Sequence, residues 1–181
     1  MKSIRSSYEN LGVEGFYQKS GDQYTNPHEA QIIALIKNNA HRIDYGKVLD
    51  FCCGSGEVTE VLAKMGFENT VGSDPFTQTA FKNRTGKDAL SLTFDDVIRN
   101  GLDQKYSAVI SSFAMHLCPI KKLYPLTHQI FQFTKQLIII TPHKRPVLEK
   151  LDGVQLQFTD DVLTTRGKAI RLKSYICTYD S

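Results

Sequence analysis

The residues best placed to do chemistry are a glycine turn and the carboxylates downstream of it. Asp50-Phe51-Cys52-Cys53-Gly54-Ser55-Gly56 ends a short apolar run, and its glycines let backbone approach a ligand where a Cβ would clash. A helix opening at such a turn offers unpaired N–H groups to the same ligand. A G-x-G is common in tight strand-to-helix turns and says little alone. Weight comes from Asp74, which closes the next apolar run and could accept both hydroxyl protons of a ribose, as in dinucleotide-binding folds. Asp95 and Asp96 are expected to close the run after that, so successive strand ends would each carry a carboxylate.

Further candidates lie beyond the later strands. His116 follows the fourth predicted strand, where it could act as a general base or hydrogen-bond a substrate; the competing reading is a polar residue satisfied locally. Pro142-His143-Lys144-Arg145-Pro146 follows the fifth. Its Lys144 and Arg145 could clamp a carboxylate or phosphate, or simply be solvated. Tyr8, Phe16, Tyr17 and Tyr24 fall in an N-terminal arm, residues 1–25. That arm could close over the site with a tyrosine on the substrate, or pack as a plain aromatic cluster.

The elements that must position these groups alternate between short apolar runs and helical periodicity, the pattern of a sheet flanked by helices. Asn26-Pro27-His28-Glu29 predicts a helix start, with Asn26 as cap, and Ile32, Leu35, Ile36 and Ile43 predict its buried face. Lys47 to Phe51 predicts the strand before the turn. Val58, Val61, Leu62 and Met65 predict an amphipathic helix ended by Gly66 in a left-handed cap. Thr70 to Ser73, Ala89 to Phe94, Tyr106 to Ser111 and Leu137 to Ile140 predict four more strands, with a helical face at Leu126, Ile130 and Phe133 after Pro125. Residues 154–158 and 170–176 alternate in period two around Thr165-Arg166-Gly167, which predicts a closing antiparallel pair. The expected fold is α/β: a Rossmann-like, doubly wound sheet of seven strands, five parallel plus that pair, with residues 26–181 as one catalytic core.

Composition narrows the function classes. At 181 residues, 41% hydrophobic and 23% charged, the chain suits one packed domain. A net charge of +3, spread along the chain, is too mild for a dedicated nucleic-acid binder. Cys52, Cys53, Cys118 and Cys177 form no C-x-x-C pair, so neither a zinc site nor a disulfide framework is expected. Reduced thiols and the lack of a long apolar run imply a cytoplasmic, untargeted protein with no membrane span.

With these residues in hand, the chain from about Tyr45 onward resembles the class I S-adenosylmethionine-dependent methyltransferases. It is similar in particular to the small-methyltransferase group that includes ubiquinone- and biotin-pathway enzymes. Val48 to Gly56 resembles the family's first motif, with Cys52 where the first glycine usually stands. The resemblance implies S-adenosylmethionine as cofactor, with Asp50, Cys52 and the Gly54-Ser55-Gly56 backbone around its methionine part. It places Asp74 on the ribose, Pro75 or Phe76 beside the adenine, and Asp95 or Asp96 at the adenine amino group. Ser112, Phe113 and His116 fall in the segment that lines the methyl-transfer site in that family. The turn also lacks a full G-x-G-x-x-G, with Thr59 in place of the third glycine, which argues against a pyrophosphate.

No metal is implied. The Asn/Asp-Pro-Pro-aromatic motif of nucleic-acid amino methylases is absent after the fourth strand, and so are the paired glutamates of the protein-arginine type. The implied acceptor is a small molecule. The alternatives are an RNA or protein methyltransferase acting with a protein partner, and a non-catalytic methyltransferase-like subunit.

Overall fold

A computed structural model describes residues 25–179. Tyr8, Phe16, Tyr17 and Tyr24, expected to form a lid, lie outside the described residues. Helix α1 (Glu29–Asn38) precedes strand β1 (Val48–Phe51), α2 (Glu57–Lys64) and β2 (Thr70–Ser73). These lead to α3 (Gln78–Thr85), β3 (Ala89–Leu90), α4 (Phe94–Asn100) and β4 (Tyr106–Ser112). Helix α5 (Ile120–Phe131), β5 (Thr134–Thr141), β6 (Val154–Leu163) and β7 (Ala169–Cys177) complete the chain. The seven strands run in the order β3-β2-β1-β4-β5-β7-β6, with β7 antiparallel to both neighbours. The order reverses between β1 and β4, and in open α/β sheets ligands bind outside the strand ends at such a reversal.

Alternation along the central strands divides the core in two. Leu49, Phe51, Val109, Leu137 and Ile139 pack on one face with Val97 of α4 and Leu126 and Ile130 of α5. Val48, Ala108, Ile110, Ile138 and Ile140 pack on the other against Ile32, Leu35 and Ile36 of α1 and Val58, Val61 and Leu62 of α2. Strands buried on both faces read as continuous apolar runs, which is why β5 is visible as Leu-Ile-Ile-Ile. Gly66 ends α2 as the periodicity predicts: its φ is +89°, its N–H reaches the Ala63 carbonyl, and the Phe67 N–H reaches that of Leu62.

Three expected boundaries are corrected. The predicted third strand, Ala89 to Phe94, stops at Leu90, and Phe94–Asn100 is helix instead. Thr93 and Asp96 form a capping box there, each side chain taking the other's backbone N–H, and that local pairing outcompetes extension of a two-residue edge strand. Asn26 does not cap α1. Its Oδ1 accepts the His28 N–H at 2.9 Å in a turn, and α1 begins at Glu29, with His28 at the cap position. Helix α5 starts at Ile120, ahead of Pro125, which sits inside it.

The floor of the glycine turn is built by packing. An added Cβ at Gly56 would sit 2.6 Å from Thr85 Cγ2 and 2.9 Å from Phe81 Cδ2, while one at Gly72 would sit 2.3 Å from Phe81 Cζ. These glycines let α3 lie directly against the turn and β2. Below the turn, the wholly buried Asp50 carboxylate turns to the start of α2, its Oδ2 accepting the Thr59 N–H at 3.1 Å and hydroxyl at 2.8 Å. Its Oδ1 is buried with no hydrogen-bond partner. Burial pushes the Asp50 carboxyl up to about 8, against the lowering effect of Thr59.

Phe81→Ala is therefore expected to cost ~3–5 kcal/mol in urea unfolding. Adding Gly72→Ala to it should cost less than the two separate losses summed, because the new methyl enters vacated space. For Asp50, the folded state holds its proton more tightly than the unfolded state. Its contribution to stability is present below the ordinary carboxylate range and is lost as pH rises through about 8. Asp50→Asn should flatten the fall in stability between pH 5 and pH 9 relative to the parent protein, measured by the urea midpoint at each pH.

Candidate active site

A cavity of about 270 Å³ opens at the carboxyl ends of β1, β2 and β4, close to the lower end of small-ligand sites, roughly 300–1,000 Å³. Cys52, Cys53 and Gly54 form one wall, Asp74, Pro75 and Phe76 a second, and Ser112, Phe113 and Ala114 a third. Leu92, Thr93, Phe94 and Asp95 close it from the start of α4, with Leu117, Pro119 and Lys122 opposite.

Two non-glycine residues take a left-handed backbone here, Cys52 and Phe113, each with φ of +57°. They are the residues that leave β1 and β4 on the two sides of the strand reversal. Such backbone costs of order 1–3 kcal/mol and persists only where the surroundings impose it. The Cys53 N–H bonds the Ser73 carbonyl at 3.0 Å and the Phe113 N–H bonds that of Ile140 at 2.8 Å, so each turn is fixed to the adjacent strand.

Asp74 braces the cavity. Its Oδ1 accepts the N–H groups of Phe76 at 2.8 Å and Thr77 at 3.2 Å, and its Oδ2 accepts that of Gly54 at 3.3 Å. The Thr77 hydroxyl returns a bond to the Gly54 carbonyl at 2.8 Å. One carboxylate thus fixes the glycine turn to the exit of β2. Burial holds the Asp74 carboxyl above its ordinary range, although these N–H bonds favour the charged form. Oδ2 carries a single long bond and keeps acceptor capacity for a ligand.

Glu57, unmarked in the sequence reading, is buried and lines the cavity. Its Oε1 accepts the Asn26 N–H at 3.0 Å and the Ser55 hydroxyl, tying the chain before α1 to the turn. Arg84 reaches Glu57 at 3.6 Å and also pairs with Glu29 and Glu60, so one guanidinium joins α1, α2 and α3 behind the site. The signal for Glu57 was its position, the first residue of a helix opened by glycine, where a carboxylate meets the positive end of the helix. Lys122 had no local signal. Its partner Asp95, at 2.7 Å across the rim, belongs to another helix.

The expected residues divide. Cys52, Gly54, Asp74, Pro75, Phe76, Asp95, Ser112 and Phe113 line the cavity. Asp50 does not: it is sealed beneath the turn on Thr59. Ser55 and Gly56 lie behind the lining, Ser55 on Glu57 and Gly56 against Thr85 and Phe81. Asp96 is corrected from a strand-end ligand to the capping residue of α4, bonded to Thr93. His116 is absent from the lining and its ring packs 4.3 Å from that of His143. His143, Lys144 and Arg145 are exposed on the loop after β5, outside the cavity. Tyr17 and Tyr24 lie outside the described residues. No group of three or more potential metal ligands occurs among the described residues, and no helix among them is long and apolar enough to cross a membrane.

No family model matches the chain. It is 29% identical over 192 residues to uncharacterized protein C17A5.05c of Schizosaccharomyces pombe, covering 81% of this chain and 77% of that one. Among solved structures, it is similar to magnesium protoporphyrin IX methyltransferase from Synechocystis with bound S-adenosylmethionine. That likeness has a TM-score of 0.62 at 16% identity, over 96% of this chain and 95% of that one. The N-methyltransferase NodS from Bradyrhizobium japonicum, in complex with S-adenosylhomocysteine, aligns at TM-score 0.64 and 9% identity, over 90% and 99%. A putative RNA methyltransferase from Pyrococcus horikoshii aligns at 0.60 and 12%, over 86% and 88%. Strand order, the antiparallel β7 and these likenesses agree: the chain has the fold of the class I S-adenosylmethionine-dependent methyltransferases.

Proposed function

We propose that the protein binds S-adenosylmethionine in this cavity and transfers its methyl group to a small-molecule acceptor. The observation that carries the reading is Asp74, a carboxylate with an under-used oxygen in the cavity wall. A ribose presents two adjacent hydroxyl donors to such an oxygen.

The chemistry of the lining fits the cofactor. Asp74, Glu57 and Asp95 supply carboxylates, and Lys122, the lining's lysine, is paired with Asp95. That balance favours a cationic sulfonium bearing an amino-acid head and opposes a doubly charged pyrophosphate. Pro75, Phe76, Leu92 and Phe94 offer an apolar slot for the faces of a purine. When bound, S-adenosylmethionine supplies an electrophilic methyl carbon to an acceptor lone pair attacking in line with the C–S bond.

The chain's own task is to position. Ser112, Phe113 and Ala114 form the wall at the end of β4, where the fixed left-handed turn at Phe113 sets the direction from which an acceptor approaches. In-line displacement depends chiefly on alignment of the reacting atoms, and a rigid wall supplies it. A small acceptor suits the modest cavity and the mild, dispersed positive charge better than a polymer does.

Calorimetry with S-adenosylhomocysteine should show one site per chain, and Asp74→Asn should weaken it by about 10–100-fold, the loss of one or two charge-assisted hydrogen bonds. No heat from the parent protein would end the cofactor reading. With methyl-labelled S-adenosylmethionine, label should enter a low-molecular-weight pool. Label found only in RNA or protein would overturn the small-molecule acceptor.

A further inference from the structure

Asn26, just ahead of α1, and Glu57, the first residue of α2, meet in the cavity wall. Both are nearly sealed, at 4% and 3% exposure. The Asn26 N–H donates to Glu57 Oε1 at 3.0 Å, and the Ser55 hydroxyl donates to the same oxygen. Asn26 Oδ1 accepts the His28 N–H at 2.9 Å, which identifies the other end of the amide, Nδ2, as the donor. Glu57 Oε2 and Asn26 Nδ2 make no hydrogen bond among the described residues, and neither belongs to the orphaned atoms sealed inside the core. One acceptor and one donor, each on a braced side chain, are left to the cavity. Polar atoms in such buried positions ordinarily have partners.

Glu57 is also short of a cation. Arg84 comes no closer to it than 3.6 Å, while the same guanidinium hydrogen-bonds Glu29 and Glu60 directly. Lys64 goes to Glu60 as well, at 2.7 Å. Among the described residues, two cations thus serve three carboxylates, and Glu57 is the least compensated of the three. Asp50, expected at the methionine part of the cofactor, cannot take its place, because its carboxylate is sealed beneath the turn on Thr59. The turn itself links Glu57 to the ribose carboxylate: the Gly54 N–H bonds Asp74 and the next residue, Ser55, bonds Glu57. The apolar slot of Pro75, Phe76, Leu92 and Phe94 comes from other segments, after β2 and at the start of α4. Purine slot, Asp74 and the Glu57–Asn26 pair therefore offer three distinct chemistries to one ligand.

We infer that Glu57 and Asn26 hold the zwitterionic amino-acid head of the cofactor, Glu57 Oε2 accepting from its ammonium and Asn26 Nδ2 donating to its carboxylate. An α-amino acid carries donors and acceptors on adjacent atoms, which is what an acceptor and a donor fixed side by side can read. A bond from an ammonium to a buried carboxylate is charge-assisted and strong. A ligand without the head leaves both protein atoms unpaired, at the cost that buried polar groups incur. The inference rests on the proposed cofactor and moves the recognition of its head from Asp50 to Glu57. It also gives the segment before α1 a part in the site, since Asn26 belongs to that segment and is bonded to Glu57.

Calorimetry on the whole protein with three ligands separates this role from a structural one. The ligands are S-adenosylhomocysteine, its deamino analogue, which lacks only the ammonium, and 5′-methylthioadenosine, which lacks the whole head. Glu57→Gln keeps an oxygen for the Asn26 N–H and the Ser55 hydroxyl, and Asn26→Asp keeps one for the His28 N–H. In Glu57→Gln, S-adenosylhomocysteine should bind about 10–100-fold more weakly, while the deamino analogue and methylthioadenosine stay within about twofold of the parent. Asn26→Asp should weaken the deamino analogue, whose carboxylate it repels, by about tenfold or more and spare methylthioadenosine. Equal losses for all three ligands, or unchanged affinities in both variants, would overturn the subsite and leave the cofactor reading standing. So would a parent protein that binds methylthioadenosine as tightly as S-adenosylhomocysteine. If the parent binds neither of those two, the cofactor reading fails and the subsite falls with it.

Discussion

The bond between Asp74 and the Gly54 N–H is short in sequence cost and wide in consequence. It crosses from the exit of β2 to the turn leaving β1, and Thr77 returns the bond to the Gly54 carbonyl. Two loops that would otherwise move separately are thereby one wall. The cavity needs them fixed, because backbone that leads out of parallel strands has no ladder of its own to hold it. Glu57 extends the brace to the segment before α1, and Arg84 balances its charge from behind. The carboxylates at the site are thus structural before any ligand arrives. Each is already partly satisfied, which lowers the cost of burying it.

Charge arranges the region around this brace. The cavity holds acidic groups, with Lys122 paired to Asp95 among them, and His28 stacks on Phe113 in its wall. The left-handed backbone at Phe113 is held by its N–H on the Ile140 carbonyl and by the stacked His28 ring.

Much of this was legible in the chain itself. Continuous apolar strands, the amphipathic α2 and the Gly66 cap depend on local spacing, and all appear where that spacing puts them. The antiparallel close of the sheet followed from period-two alternation on both sides of a glycine turn. Asp74 was visible because it ends a strand after a glycine turn. Where the structure places residues differently from the sequence reading, the cause is partners distant along the chain or competing local bonds. Asp96 looked like a strand-end ligand because the apolar run continues to Phe94; the Thr93 hydroxyl, which diverts it into a helix cap, is an ordinary residue in sequence. Asp50 looked like a ligand residue because it opens the motif, yet its carboxylate turns to Thr59 beneath the turn. Glu57 and Lys122 were missed because their partners Arg84 and Asp95 come from other helices. His116 was singled out from its place after β4, and only the folded chain shows that its neighbour is His143.

The central claim is that the carboxylate bracing the glycine turn also receives the ribose of S-adenosylmethionine. A crystal structure of the protein grown with S-adenosylhomocysteine tests it most directly. The account predicts density filling the cavity, with the ribose hydroxyls within hydrogen-bond distance of Asp74 Oδ2 and the purine between Phe76 and Leu92. A cavity without ligand density at saturating S-adenosylhomocysteine, or a ligand whose ribose lies away from Asp74, would contradict it.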